Sequence, residues 1–372
     1  MSSPVPQGSA DDGPRPLLVI PAHDNDRFWR LAYLQDGRRI VTVADGGTVK
    51  VWNLENGGQE GKSMKHESRF MTDLAVTWDG TKIISSDRSG KVKVWDVESH
   101  EFVQVWTCTG IPKIAISPDD QFVAIGGWTV VKIYSMEGGR VNRSMDVRDL
   151  DKFMKCMSFS PNGDKLACGI DCDIHVYDVK TGALILGPLK GHNRDTTCVL
   201  WSRDGNRLFS ASGDKKIRCW NAQTGEQIGH PWIGHTNIVY SLSLSPDGSI
   251  LASASEDRTV RFWDATTGDP IGQHLRHGKR VSDVSFSPSG EFVASIDIEK
   301  ICLWRVPWFS SATLPGIDDI EILSGLAPSY ATTSTTSSRC TLNTISFLFD
   351  LLAKSGTTVS AVRPPVYHLT ML

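Results

Sequence analysis

An aromatic residue followed by aspartate, asparagine or a near variant returns along this chain at an almost fixed interval: Trp52-Asn53, Trp95-Asp96, Tyr134-Ser135, Tyr177-Asp178, Trp220-Asn221, Trp263-Asp264 and Trp304-Arg305. Successive aromatics stand 43, 39, 43, 43, 43 and 41 residues apart. A period of this length marks an array of one supersecondary unit, no copy of which can bury its apolar face alone. The 372 residues therefore do not imply several domains, because seven such units fill most of the chain as one object.

Each period repeats the same inner grammar, clearest in the sixth. Ile238 to Leu244 alternates apolar and polar, Ser245-Pro246-Asp247-Gly248 turns, Ile250 to Ser255 is apolar with small residues, Glu256-Asp257-Arg258 turns, and Thr259 to Trp263 alternates again. Proline presets φ and Asp-Gly or Asn-Gly tolerates positive φ, so each corner has a mechanism. A second turn, Ala265 to Asp269, leads to a fourth strand from Pro270 to His274. A sheet of four short strands cannot cover both its faces, whereas seven packed radially cover one another. The ends of the chain point to a closed ring: the seventh unit stops at Trp304 without a fourth strand, and strand-like Leu17 to Ile20 precedes the first. The expected fold class is all-β, a seven-bladed β-propeller of four-stranded antiparallel blades closed by the N-terminal strand. The expected domains are a disordered arm over 1–15, the propeller over 16–308, and an irregular Ser/Thr-rich tail over 309–372 whose apolar stretch, Ile345 to Ala353, is too short to be stable alone.

Formal net charge is −3 and the basic residues are interspersed with acids, so the footprint of a nucleic-acid binder is missing. The eight cysteines lie mostly in apolar runs, as in a reducing compartment. Cys168 and Cys172 are close in sequence, but no second Cys/His pair answers them, so neither a metal nor another cofactor is expected. No apolar signal core or membrane-length apolar run occurs, and the expected location is the cytoplasm, with the nucleus as the alternative.

His235, Ser253 and Asp257 form a set that suggests a hydrolase triad. His192, Ser210 and Asp214 repeat it in the fifth unit, with the same 22 residues from His to Asp and 6 from Asp to Trp220 or Trp263. A catalytic constellation is needed once, so one that recurs per blade is architecture. No catalytic residue is therefore expected.

Repeated aromatics, loop histidines and turn aspartates together resemble the WD-repeat (WD40) β-propeller family over about Pro16 to Trp308. The resemblance implies that His192, Ser210, Asp214 and Trp220, and likewise His235, Ser253, Asp257 and Trp263, form buried hydrogen-bond relays. A buried indole N–H and imidazole need such partners. Units one, two and seven keep His23, His66 and His277, with Asp45, Asp87 and Asp297 out of the aspartate's phase; unit three has Trp128 in the aspartate's place, and unit four pairs Asp171 with Tyr177. Blades five and six are accordingly expected to be the most rigid and blade three the softest.

The resemblance also implies a top rim around the channel, carried position by position onto Arg27, Trp29, Phe70, Arg88, Phe153, Lys155, Tyr240, Glu256 and Arg280, with Ile170 and Asp297 at equivalent places in blades four and seven. Aromatics beside arginines are the composition of binding hot spots. The leading expectation is a non-enzymatic scaffold, a monomeric propeller that holds a protein or peptide partner on this rim. One alternative is the sensor half of a multidomain switch, although no Gly-rich Lys-Ser/Thr phosphate loop occurs here; another is an enzyme with a site in the channel. Arginine two residues after the Asp of Trp-Asp, frequent in receptors for cullin-based ubiquitin ligases, is absent: Glu55, Glu98, Gln223 and Thr266 stand there.

Overall fold

The computed structural model describes residues 13–21, 27–128, 130–146, 153–306 and 308, and these contain strands and turns but no helix. The strands form seven four-stranded antiparallel sheets. In six of them the strands pair in chain order, as Val239–Leu244, Ile250–Ser255, Thr259–Asp264 and Pro270–Arg276 do in blade six. Blade seven takes Val281–Phe286, Phe292–Asp297 and Lys300–Arg305 and borrows its outermost strand, Leu18–Pro21, from the start of the chain. Leu18 pairs with Leu303 and Pro21 with Lys300, so the N-terminal strand closes the ring. His23 and the segments 1–12 and 309–372, where the arm and tail expectations fall, lie outside the described residues.

Both halves of the recurring dipeptide have a local cause. The aromatic enters a seam between blades: Trp52, Trp220, Trp263 and Trp304 are at most 2% exposed. Its neighbour caps the following turn, as when Asp264 Oδ1 accepts the backbone N–H groups of Thr266 and Thr267 at 2.8 Å, or Asn221 those of Gln223 and Thr224. Seam cores unite adjacent blades; one joins Phe262, Val260 and Leu275 of blade six to Val281, Phe286 and Trp304 of blade seven. The closing seam has the same build, with Ile20, Ile296 and Ile301 against Phe28, Ile40 and Trp52.

The relays are hydrogen-bonded. In blade six Trp263 Nε1 donates to Ser253 Oγ at 2.8 Å, and His235 bridges Ser253 (2.7 Å) and Asp257 (2.8 Å). Blade five repeats this with Trp220, Ser210, His192 and Asp214 at 2.8–2.9 Å. The structure corrects the expectation for blades two and seven. His66 bridges Ser85 and Asp87, His277 bridges Ser295 and Asp297, and Trp95 and Trp304 donate to those serines. In these two blades the aspartate is two residues past the serine, at the end of its strand, instead of four past it in the turn. The imidazole is reached from a different backbone position, which a fixed spacing does not register. Blades two and seven therefore carry the same relay as blades five and six. In blade one Trp52 donates to Thr42 Oγ1, while Asp45 accepts the indole N–H of Trp29.

Relay chemistry sets a sign for acid stability. Burial, partly opposed by Asp257, lowers the His235 pKa below its ordinary 6.5. Burial also disfavours ionised Asp257, but hydrogen bonds from His235, Thr259 and the Thr236 N–H outweigh it and hold the carboxyl below 3.8. The folded state thus keeps a neutral imidazole beside a carboxylate, and the unfolded chain binds the extra protons. Both contributions are whole above about pH 6.5 and drain as pH falls, the histidine's first. The denaturation midpoint is expected to drop between pH 7.5 and 5; a flat midpoint across that interval would contradict a neutral, buried relay.

Candidate functional site

The inner strands of six blades share a β-bulge that skips one residue in the ladder: Trp29, Thr72, Lys155, Thr197, Tyr240 and Ser282. A bulge leaves its extra residue unpaired and re-aims the side chain. Five of these six, all but Thr72, line a cavity of about 540 Å³ at one mouth of the channel. Blade three lacks the bulge; its inner strand, Lys113–Ile116, pairs in continuous register.

Blade three instead supplies a wall. Trp128, 52% exposed, meets Phe153 edge to face at 6.5 Å, and both line the cavity with Ile111. Gly110 makes this possible: its φ is +102°, and a Cβ there would lie 2.5 Å from Trp128 Cδ1. Opposite, the half-buried Trp29 ring carries the Arg280 guanidinium 5.2 Å above its centre. Lys155 lies 5.6 Å over Phe153 and 2.7 Å from Asp195. The Tyr240 phenol is pushed above its ordinary pKa by burial and by Glu256, against the opposing charge of Arg280.

Five of the rim residues expected from sequence come together at this cavity: Trp29, Phe153, Lys155, Tyr240 and Arg280. Phe70, 55% exposed, and Arg88 form their own stacked pair at 5.7 Å outside it. Arg27 is exposed and Glu256 half-buried, neither in the lining. Asp297 and Ile170 do not belong to the rim, being 0% and 3% exposed. The position equivalent to Arg88 and Glu256, whose N–H bonds the carbonyl opening the inner strand, is Asp171 in blade four. The cavity residues that sequence reasoning passed over include Arg30 and Met154 and, from blade three, Ile111, Lys113 and Trp128. The signal for those last three was the failure of blade three to keep the relay.

The triad-like sets are not aimed at this mouth. Ser253 is fully buried and its Oγ already serves both Trp263 and His235. The thiols beside the channel are poor nucleophiles: burial raises the Cys156 pKa well above its ordinary value and that of Cys198 to about 11. Among the described residues no three His, Cys, Asp or Glu side chains gather as a metal site requires, and no helix is long and apolar enough to cross a membrane.

A closed ring of seven blades, four of them braced by a relay, with an aromatic, cation-rimmed mouth defines the molecule as a propeller with a built recess. The chain belongs to the WD40 family, described as WD domain, G-beta repeat, whose model matches residues 14–53, 58–96, 148–178, 184–221, 226–264 and 268–297. Most of blade three falls between the matched stretches. Part of the chain is 40% identical to WD repeat-containing protein 1 of Xenopus tropicalis over 87 residues, 23% of this chain and 14% of the relative, and 37% identical to the Mus musculus protein over the same shares. Intraflagellar transport protein 122 homolog of Danio rerio is 40% identical over 77 residues, 20% of this chain and 6% of the relative. The matches thus span about a seventh or less of these relatives. Members of the family generally act as non-enzymatic scaffolds that bind other proteins.

Proposed function

We propose that this chain is an interaction scaffold, acting as a single propeller in the cytoplasm or nucleus, whose channel mouth holds a peptide segment of a protein partner. The observation that carries the reading is the recess itself: about 540 Å³, lined by Trp29, Ile111, Trp128, Phe153 and Tyr240 and bordered by cations. Trp128 and Phe153 stay half exposed although they touch each other, and large aromatics beside arginine form the centres of interfaces.

The test replaces Trp128, Phe153, Tyr240 and Arg280 by alanine together. None belongs to a relay, so the melting midpoint should move by only a few degrees. Proteins captured by the wild-type chain and identified by mass spectrometry should be lost from the variant. A folded variant that captures the same set would overturn the assignment to this mouth.

A further inference from the structure

Among the described residues the lining of the mouth is electrostatically one-sided: Arg30, Lys113, Lys155 and Arg280 contribute to it, against the acid Asp195, which is already paired with Lys155 at 2.7 Å. Arg30 is answered from below by Asp73 and Asp283 at 3.6 and 3.9 Å. Lys113 is not answered. Its ammonium makes one long hydrogen bond, 3.4 Å to the Thr72 carbonyl, and among the described residues it has no ion pair. The nearby carboxylate of Asp73 is already engaged, one oxygen facing Arg30 and the other accepting the Ile114 N–H at 2.9 Å. Burial accordingly lowers the Lys113 pKa, with Asp73 opposing and Arg30 reinforcing the shift.

Rim aromatics carry a second, independent indication. Trp29, Phe153 and Phe70 each have one of the chain's own cations 5.2–5.7 Å from the ring centre, in Arg280, Lys155 and Arg88. A ring face holds a cation through its quadrupole. Those seats are filled, so a lysine or arginine of a partner would meet like charge, whereas an anion meets donors already held in place by the rings.

We propose that the mouth takes an acidic side chain of the partner peptide, its carboxylate seated on Lys113 between Arg280 and Lys155, with an adjoining apolar side chain against Ile111, Trp128 and Phe153. This rests on the reading of the mouth as a peptide site and specifies its ligand. The carboxylate would give Lys113 the ion pair that the described residues do not supply, and the apolar neighbour would cover the exposed rings.

The experiment is a random-peptide display selection on the full chain, followed by fluorescence anisotropy with the most enriched peptide. Aspartate or glutamate beside an aromatic or aliphatic residue is expected in the consensus. Changing that acid to its amide in the peptide, or Lys113→Met in the protein, should each weaken binding about tenfold or more, and the two changes together should cost little beyond either alone. The peptide change guards against a folding artefact in the variant, and removing a buried charge by Lys113→Met should leave the melting midpoint unchanged or higher. A neutral or basic consensus whose binding is lost with Trp128→Ala and Phe153→Ala would overturn the acidic ligand and leave the mouth as the site. Peptides held undiminished by that double variant, or no enrichment at all, would overturn both.

Discussion

Trp263→Ala is expected to destabilise the propeller by about 3–5 kcal/mol, the range for removing a large aromatic from a core. The indole is 1% exposed, packs within 6.0 Å of Trp232 and 6.1 Å of His235, and shares the seam between blades five and six with Phe209 and Leu251. Its loss opens a cavity at the seam and removes the donor that Ser253 Oγ accepts. A melting midpoint lower by about 5–15 °C follows from the usual scaling for a chain of this size. A comparison outside any relay is Tyr134→Ala in blade three, where the smaller ring packs 5.2 Å from Trp106 and the phenol makes a 3.5 Å bond to the Thr107 carbonyl. That loss should be smaller. Equal losses would show that the relay adds nothing to packing, and an unmoved midpoint for Trp263→Ala would remove the indole from the account of stability.

The architecture was legible because its causes are local and repeated. Period, corner chemistry and the stray strand at Leu18–Pro21 each act within a blade or between neighbours, and each is written several times over. The relay was legible only where its residues keep one spacing. Asp87 and Asp297 reach the same imidazole nitrogen from the strand end, and no linear offset captures two backbone routes to one hydrogen bond. Asp297 was for that reason misplaced on the rim. The mouth was legible in part, since the bulge that aims Trp29, Lys155 and Tyr240 recurs in six blades and so has a repeat position. Lys113 and Trp128 come from the blade without the bulge. Departure from a repeat shows that a position is special but not which way its side chain faces; Gly110, by admitting the Trp128 ring, decides that in three dimensions.

Arg30 carries the second large effect, at the place where the ring closes. Its guanidinium sits between Asp73 of blade two and Asp283 of blade seven, and Asp283 Oδ2 also accepts the Leu31 N–H of blade one at 3.0 Å. Arg30→Met keeps much of the side-chain volume and removes the charge, leaving Asp283, 6% exposed, without its counter-ion. Breaking a fully buried pair from one side costs about 3–5 kcal/mol, and the 24% exposure of the Arg30 side chain brings the cost here below that range. The pH dependence separates charge from packing. Burial already raises the Asp283 pKa above its ordinary 3.8, with Arg30 opposing, so the variant's carboxyl must rise further. A carboxyl raised in the folded state is tolerated below its unfolded pKa and becomes costly as pH climbs through the folded one. The stability deficit of Arg30→Met, read from denaturant midpoints, should therefore be larger at pH 8 than at pH 5. Adding Asp283→Asn, whose amide oxygen can still accept the Leu31 N–H, should recover part of it at pH 8. A deficit independent of pH and unrelieved by the second change would assign the role of Arg30 to packing alone.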